Sequence, residues 1–268
     1  FSSNPAGIVK YLRLTAHPGV SENRPIFVVG PPRSGTTMLY TRLLSCEGFC
    51  GPSNETGFFM VTNPYSIRMD PLPKELWTKL VKAANSRAQL LDDAMEWFND
   101  NAQAKFFVEK TPQHCLFYKT IRATWPKGTV VAIIRHPFDC VASAIRNSDF
   151  IPQGRAVESA ARYWTRCAAS IYQMKADQRA MLVRYEEFVG SPDHIRDVVA
   201  FVSDGSLQYR SSREFSHAFV GKKGFELLTS DITGKQVGRW REELTDEQVA
   251  KIWRITKKIA SQFGYSPS

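Results

Sequence analysis

Residues 26–39 read Ile-Phe-Val-Val-Gly-Pro-Pro-Arg-Ser-Gly-Thr-Thr-Met-Leu, and we expect the rest of the chain to be organised around them. The four apolar residues at its start are typical of a buried parallel strand. Gly30 and Gly35 then enclose a loop, and a helix is predicted over Thr36–Leu44. Such a strand–loop–helix unit directs backbone N–H groups and the positive end of a helix dipole toward one anion. The sequence therefore predicts a P-loop-like phosphate-binding loop.

This loop departs at one position from the nucleoside triphosphatase pattern G-x-x-x-x-G-K-[ST]. Thr36 stands where those enzymes have the lysine that contacts the β- and γ-phosphates. Arg33, inside the loop, instead offers a planar, permanently charged donor group to an oxyanion. The combination favours a shorter nucleotide with two anionic groups near its 5′ end, bound without a metal.

Apolar runs alternate with helical patterns along the rest of the chain. Strands are predicted at 106–108, 129–134 and 181–183 with helices between them, which is typical of an α/β fold whose central parallel sheet is flanked by helices. Residues 65–104 have the periodicity of two helices and are interpreted as a helical insert, and residues 1–24 as an N-terminal extension. Because 268 residues suit one large α/β domain, we expect a single domain over residues 1–268.

Three local signals refine these element boundaries. Asp139 is a residue type that caps helices, and it is expected to cap the helix that follows residues 129–134. Thr245 and Gln248 have the spacing of a capping box before the last helix. Residues 48–54 contain several turn-forming residues and are predicted to form a loop.

The composition favours an anionic partner. The net charge is +9 and the pI is about 9.4, yet lysine and arginine are scattered without a run of five, so we expect no nucleic-acid partner. No apolar run approaches about 18 residues, which predicts no membrane span. Five cysteines without a C-x-x-C pair indicate reduced thiols in a cytoplasmic protein rather than a zinc site. The chain begins at Phe1, so this interpretation allows for a leader, an anchor or another domain before it.

A second candidate anion site follows the strand at 129–134. Arg135 comes directly after it, and Ser143 lies eight residues further on. Because ligands of open α/β sheets bind at the carboxyl ends of the strands, we expect both side chains near the loop. A guanidinium and a hydroxyl suit a second phosphate, which they would hold by charge and by one directional donor. The alternative is a surface arginine at a strand end beside a small helical residue.

Three motifs together resemble one protein family. Residues 32–37 resemble the 5′-phosphosulfate loop of the sulfotransferases that use 3′-phosphoadenosine 5′-phosphosulfate (PAPS), and residues 134–143 resemble their 3′-phosphate motif. Residues 109–112, Glu-Lys-Thr-Pro, are similar to a motif of the bacterial and protein-tyrosine-sulfotransferase-like branch. The series covers roughly residues 26–265. It implies transfer of a sulfonate from PAPS to a hydroxyl, which leaves 3′-phosphoadenosine 5′-phosphate (PAP) and needs no metal.

The resemblance implies a nucleotide-binding role for each matching position. The implied ligands of the 5′ end are Arg33, Ser34, Gly35, Thr36 and Thr37. The implied ligands of the 3′-phosphate are Arg135 and Ser143. Residues 234–244 resemble the family's C-terminal Gly-Arg-Trp segment, which is expected to close over the nucleotide. Thr233, Lys235 and Arg239 are expected to reach the phosphates, and Trp240 to pack near adenine or in the core.

Catalysis requires a cation at the leaving oxygen and a base for the acceptor hydroxyl. The resemblance implies that Lys110 contacts the bridging oxygen of the leaving phosphate, where an ammonium stabilises the developing charge, and Arg33 is also assigned to catalysis. Two residues are candidates for the base. Glu55 resembles the glutamate base of this branch, and His114 follows the Glu-Lys-Thr-Pro motif with an imidazole that titrates in the useful range. We expect Glu55 to be the base and His114 to be a second base or an orienting group.

Two other functions are weighed against sulfonate transfer. A P-loop kinase needs magnesium and a carboxylate at a strand end, for which Glu109 is the candidate, but Thr36 argues against it. A noncatalytic nucleotide-binding module would bind the same nucleotide and would tolerate the loss of Glu55 and Lys110.

The acceptor is expected to be a small molecule or a carrier- or lipid-linked molecule with an alcohol, phenol or sugar hydroxyl. Residues 60–104 match none of the family's motifs, so acceptor choice is expected there, together with Phe58, Phe59 and Tyr65. These aromatic side chains suggest an apolar face, which suits a lipid, a polyketide or an aromatic product.

Overall fold

Five parallel strands form the central sheet in the order β2-β3-β1-β4-β5. The computed structural model describes residues 5–146, 156–191, 193–210 and 236–267. The strands are β1 (Ile26–Val29), β2 (Phe49–Cys50), β3 (Phe106–Lys110), β4 (Thr129–Ile134) and β5 (Ala180–Arg184). Because the strands are parallel, the carboxyl ends of β1, β3 and β4 lie at one edge of the sheet. The α/β fold with a parallel central sheet is confirmed.

Helices cover both faces of this sheet. They are α1 (Pro5–Ala16), α2 (Thr36–Leu44), α3 (Lys74–Ala83), α4 (Arg87–Ala102), α5 (Tyr118–Thr124), α6 (Pro137–Arg146), α7 (Ala156–Tyr172), α8 (Tyr185–Gly190), α9 (Asp193–Val202), α10 (Trp240–Glu243) and α11 (Asp246–Ala260). Among the described residues, none of these helices has the length and apolar character needed to cross a bilayer.

Alternation along β1 divides the core into two layers. Ile26 and Val28 face one cluster of buried side chains, which includes residues of α2 and α9. Phe27 and Val29 face the other cluster, which includes residues of α3, α4, α7 and α11. Successive side chains of a strand point to opposite faces, so four consecutive apolar residues serve both layers.

The insert at 65–104 contains two helices, as the periodicity predicts, and both pack onto the sheet. Trp77 of α3 and Leu91 of α4 are buried in the same cluster as Phe27 of β1. The ring centroids of Phe98 and Phe107 lie 5.3 Å apart, which joins α4 directly to β3. The insert therefore shares its hydrophobic core with the sheet.

The structure corrects two local predictions and confirms a third. Residues 48–54 are not all loop, because Phe49 and Cys50 pair with β3 as an edge strand. Asp139 does not cap α6 but lies in its first turn. The capping box before α11 is confirmed: Thr245 Oγ1 accepts from the Gln248 N–H at 3.3 Å, and Gln248 Oε1 accepts from the Thr245 N–H at 2.9 Å.

Candidate active site

The loop after β1 has a backbone that only small residues fit at two positions. Gly35 has φ +98, and a Cβ there would lie 2.6 Å from Tyr185 Cδ2. A Cβ on Gly30 would lie 2.4 Å from the carbonyl oxygen of Ile133. The Gly30 N–H donates to the Pro112 carbonyl at 3.0 Å, which ties the start of the loop to the segment after β3. Both glycines thus meet the steric needs of a tight loop between neighbouring strands.

Ser34 makes the interior of this loop suitable for an anion. Its side chain is fully buried, and its hydroxyl has no hydrogen-bond partner among the described residues. Buried hydroxyls normally have a partner, so the unpaired oxygen fits a site completed by a bound oxyanion. Thr36 is also buried, at the start of α2.

Arg33 and Ser143 bring the two predicted phosphate motifs into contact. Arg33 Nε donates to Ser143 Oγ at 3.1 Å. The Arg33 carbonyl lies 3.5 Å from Arg135 Nη1, and the Arg135 guanidinium stands 4.4 Å from the centroid of the Tyr185 ring. Burial lowers the pKa of Arg33, and the nearby charges of Arg146 and Arg135 lower it further. This concentration of positive charge at the sheet edge favours an anionic ligand.

Asp139 attaches the C-terminal segment to the same edge. Its Oδ2 accepts from the Gly238 N–H at 2.9 Å, and its Oδ1 accepts from the Trp240 N–H at 3.1 Å. Arg135 Nη2 lies 3.5 Å from Asp139 Oδ2 and also donates to the Gln236 carbonyl. These contacts place the start of the Gly-Arg-Trp segment beside the arginine of the second motif.

Two further residues of this segment, Arg239 and Trp240, contact other side chains of the protein. Arg239 Nε pairs with Glu243 Oε1 at 2.6 Å, and Arg146 pairs with the same oxygen. Trp240 packs with its ring centroid 4.7 Å from that of Phe138, in the small cluster that α6, α7 and α11 form. Thr233 and Lys235 lie outside the described residues.

Lys110 lies where β3 ends, beside the loop. Its register partner in β1 is Val28, so its side chain emerges close to the start of that loop. Lys110 Nζ is 2.8 Å from Glu55 Oε1 and 3.3 Å from Thr37 Oγ1. The Lys110 side chain is 7% exposed, whereas that of Glu55 is 47% exposed. The structure thus brings Glu55, Lys110 and the hydroxyl of Thr37 in α2 together, with the carboxylate open to solvent.

His114 lies in a buried network instead. Its Nδ1 is 2.8 Å from Glu109 Oε2, and its Nε2 accepts from the Phe59 N–H at 3.3 Å. An N–H can donate only to an unprotonated nitrogen, so the ring is neutral with its proton on Nδ1. Burial raises the pKa of Glu109, but the hydrogen bonds that His114, Thr56 and Thr111 donate to its carboxylate outweigh burial and hold this pKa below its ordinary value. Sequence reasoning missed this network, because it considered Glu109 only as a magnesium ligand.

The comparison with known families decides between the enzyme classes. Residues 25–203 match the model of the sulfotransferase family. The chain belongs to the sulfotransferase family. Among its described residues, no group of three or more His, Cys, Asp or Glu side chains is arranged to hold a metal ion.

Solved structures share the fold of this sulfotransferase. The sulfotransferase domain from the Synechococcus PCC 7002 olefin synthase has a TM-score of 0.67 and 16% identity, with 92% of this chain and 97% of that one covered. The sulfotransferase domain from the curacin biosynthetic pathway has a TM-score of 0.62 and 16% identity, with 92% of this chain and 99% of that one covered. A mouse sulfotransferase complexed with PAP has a TM-score of 0.54 and 15% identity, with 95% of this chain and 90% of that one covered. No curated protein sequence matches this chain significantly.

An apolar cavity of about 340 Å³ adjoins the loop of the sulfotransferase. Its walls include Pro31 and Pro32 of the loop, Cys140 and Ala144 of α6, and Ala160 and Tyr163 of α7. Burial raises the pKa of Tyr163 to about 12, so its phenol is a neutral hydrogen-bond donor at ordinary pH. Cavities of this size and apolar character are typical of small-molecule sites.

The aromatic residues expected at the acceptor do not line this cavity. Phe58 and Phe59 are core residues, and the Phe59 ring stacks on Phe117 with centroids 5.6 Å apart. Tyr65 lines a second cavity of about 440 Å³ within the insert, whose walls also include Arg68 and Asp70. The first cavity is apolar and touches the loop after β1.

Proposed function

We propose that this sulfotransferase takes its sulfonate from PAPS and transfers it to a hydroxyl of an acceptor that carries an apolar group. The observation that carries the proposal is the hydrogen bond between Arg33 and Ser143. It brings together the motif for a 5′-phosphosulfate and the motif for a 3′-phosphate, which one nucleotide with both groups would span. The PAP bound to the mouse sulfotransferase of the same fold supports this choice of nucleotide.

The loop and α6 would hold the two ends of the nucleotide. Ser34 and the backbone of the loop would bind the 5′ end, where the buried hydroxyl lacks a partner among the described residues. Arg135 and Ser143 would bind the 3′-phosphate, the arginine by charge and the serine by a directional hydrogen bond. Thr36 at the lysine position leaves the loop without the cation that triphosphates require.

Lys110 and Glu55 would assist the transfer itself. When bound, PAPS supplies the sulfonate, whose sulfur leaves the phosphate oxygen and forms a bond to the acceptor oxygen. Lys110 would place its ammonium by the leaving oxygen and stabilise the charge that develops there. Glu55, which is half-exposed and 2.8 Å from Lys110, would take the proton from the acceptor hydroxyl. His114 is buried with both ring nitrogens engaged, so an orienting role suits it better than that of a base.

The apolar cavity would bind the body of the acceptor. Pro31 and Pro32 form one wall of the cavity and directly precede Arg33, so a group in the cavity lies next to the loop that binds the donor. Its lining is almost entirely carbon, and the phenol of Tyr163 adds a donor at the wall. The proposed acceptor class is therefore an alcohol or phenol with an alkyl or aryl body rather than a sugar.

Calorimetric titration with PAP tests the proposed nucleotide, with ADP and ATP as competitors, each with and without magnesium. We expect tight binding of PAP without magnesium, and loss of that binding in Arg135→Ala. Arg196→Ala, an exposed arginine on α9, is the matched control and should bind PAP like the wild type. Binding of ATP only with magnesium, or no binding of PAP, would refute the proposal and favour a kinase-like nucleotide site.

A further inference from the structure

We propose that Glu109, through Thr56, Thr111 and His114, positions the base Glu55 beside Lys110. The inference rests on the proposed function, because it takes Glu55 as the base. Glu109 touches neither of the two reacting groups and acts through the segment that carries Glu55. It is therefore a positioning residue rather than a catalytic one.

The side chain of Glu109 accepts three hydrogen bonds inside the protein. Its Oε1 accepts from Thr56 Oγ1 and from Thr111 Oγ1, both at 2.7 Å, and its Oε2 pairs with His114 Nδ1 at 2.8 Å. Glu109 and His114 are 0% exposed, and the two threonines are no more than 4% exposed. A fully buried carboxylate is costly unless its lone pairs are used, and here three donors converge on it.

Each of the three donors also accepts a hydrogen bond from the backbone after Glu55. Thr111 Oγ1 accepts from the N–H of residue 57 at 3.2 Å. Thr56 Oγ1 accepts from the N–H of residue 58 at 3.1 Å. His114 Nε2 accepts from the N–H of residue 59 at 3.3 Å. Three consecutive backbone N–H groups are therefore attached, through three side chains, to one carboxylate.

The chemistry of these groups explains why a carboxylate stands at the centre. A threonine hydroxyl and a neutral imidazole can each accept one hydrogen bond and donate another, so they relay the backbone N–H groups to a common acceptor. The common acceptor must offer only lone pairs, which an ionised Glu109 does and a glutamine does not. The direction of every hydrogen bond in the network is thereby determined.

The network is adjacent in sequence to both reacting groups. Thr56 follows Glu55, and Glu109 precedes Lys110, so the hydrogen bond between Thr56 and Glu109 joins the two chain segments one residue away from the pair. The Glu55 side chain is half-exposed, so buried packing does not hold it, and its position depends on its ion pair with Lys110 and on the backbone that carries it. The segment 56–59 supplies this backbone position, because Thr56, Thr111 and His114 hold it to Glu109.

Thr56→Val and Thr56→Ser form a matched pair that tests the role of the hydroxyl. Valine keeps the shape of threonine and removes the relay, whereas serine keeps the hydroxyl. In crystal structures of the two variants, we expect the distance from Glu55 Oε1 to Lys110 Nζ to exceed about 4 Å in Thr56→Val and to remain an ion pair in Thr56→Ser. An unchanged distance in Thr56→Val overturns the proposal, whatever the turnover. If Thr56→Val does not fold, Thr111→Val and Thr111→Ser repeat the test on the second relay.

The rate of sulfonate transfer from PAPS to 2-naphthol, an apolar phenol, tests the same proposal kinetically. We expect kcat to fall about 10²-fold in Thr56→Val, with the Kd for PAP unchanged within about twofold, because misplacement of a catalytic group by about 1 Å has costs of this order. Thr56→Ser should retain most of the wild-type kcat. In a Glu55→Gln background, Thr56→Val should cost almost nothing further, since the group it positions is already absent.

The outcomes separate this inference from the proposed function. If Thr56→Val lowers kcat equally in the Glu55→Gln background, the network acts elsewhere and the inference is wrong, while Glu55 remains the base. If Glu55→Gln alone leaves kcat unchanged, the proposed base is wrong and the inference fails with it. If the wild type does not bind PAP, the donor assignment fails, and the crystal structures still decide whether the network holds Glu55 beside Lys110.

Discussion

Arg33 Nε lies 3.1 Å from Ser143 Oγ, and this hydrogen bond joins the loop after β1 to the helix after β4. The two strands are neighbours in the sheet and run parallel, so the segments that follow them meet at one edge. Two residues that are 110 positions apart in the chain thus become neighbours at the candidate site. The contact also means that a ligand of Ser143 affects the residue that would bind the 5′ end of the nucleotide.

Removal of the Ser143 hydroxyl should weaken binding of the 3′-phosphate selectively. A hydrogen bond to a charged group contributes roughly 1.5–3 kcal/mol, so Ser143→Ala should raise the Kd for PAP by about tenfold or more. Adenosine 5′-phosphosulfate, which lacks the 3′-phosphate, should lose much less affinity than PAP, because Ser143 reaches its 5′ end only through the hydrogen bond to Arg33. Calorimetry measures both affinities, and Ser206→Ala, at an exposed position after α9, is the control. Equal losses for the two nucleotides would contradict the assignment of Ser143.

Loss of the Lys110 ammonium should reduce turnover far more than nucleotide binding. Its charge is needed mainly when the leaving oxygen becomes negative, so Lys110→Met should lower kcat by about 10²–10³-fold. Steady-state kinetics with PAPS and 2-naphthol measures this effect. Lys105→Met, at an exposed position before the same strand, should leave kcat unchanged. A Lys110→Met enzyme with nearly normal kcat and a raised KM for PAPS would show that the lysine only binds the donor.

A side chain at Gly35 should destabilise the loop. Gly35→Ala introduces a Cβ 2.6 Å from Tyr185 Cδ2 at a residue with φ +98, so we expect the free energy of unfolding to fall by about 1–3 kcal/mol. Urea denaturation measures the change. Gly190→Ala is the matched control, because a Cβ there would have no atom within 4 Å. Similar unfolding free energies for the two variants would argue against the tight packing of Gly35 on Tyr185.

A larger side chain in the apolar cavity should exclude the acceptor and spare the nucleotide. Ala144 lies on the wall of the cavity, so Ala144→Phe should raise the KM for 2-naphthol about tenfold or more, by the loss of apolar contacts. The Kd for PAP should stay within about twofold of the wild type. Ala250→Phe, on the exposed side of α11, is the control. An unchanged KM would move the acceptor site away from this cavity, and the cavity lined by Tyr65 would be the next to test.

Much of the fold and part of the candidate site could be predicted, because the relevant signals are local. The βα unit at 26–44 shows an apolar strand, a glycine-bounded loop and a helix in direct succession, and the capping box at Thr245 depends on residues three positions apart. The edge strand β2 could not be predicted from its neighbouring residues. Two residues flanked by turn formers become a strand only because Phe49 and Cys50 find partners in β3.

From the sequence alone, one could predict the strand–loop–helix unit at 26–44, the alternation of strands β3, β4 and β5 with helices, and the family. These depend on short-range spacing and on the rule that parallel strands present their carboxyl ends at one edge. The partners of the polar side chains at this edge, in contrast, depend on the packed fold. Asp139 binds N–H groups 99 and 101 residues away, and Glu109 gathers Thr56 from 53 residues away. A buried polar group takes whichever partner the packed chain brings within about 3 Å, and that partner is independent of distance along the sequence.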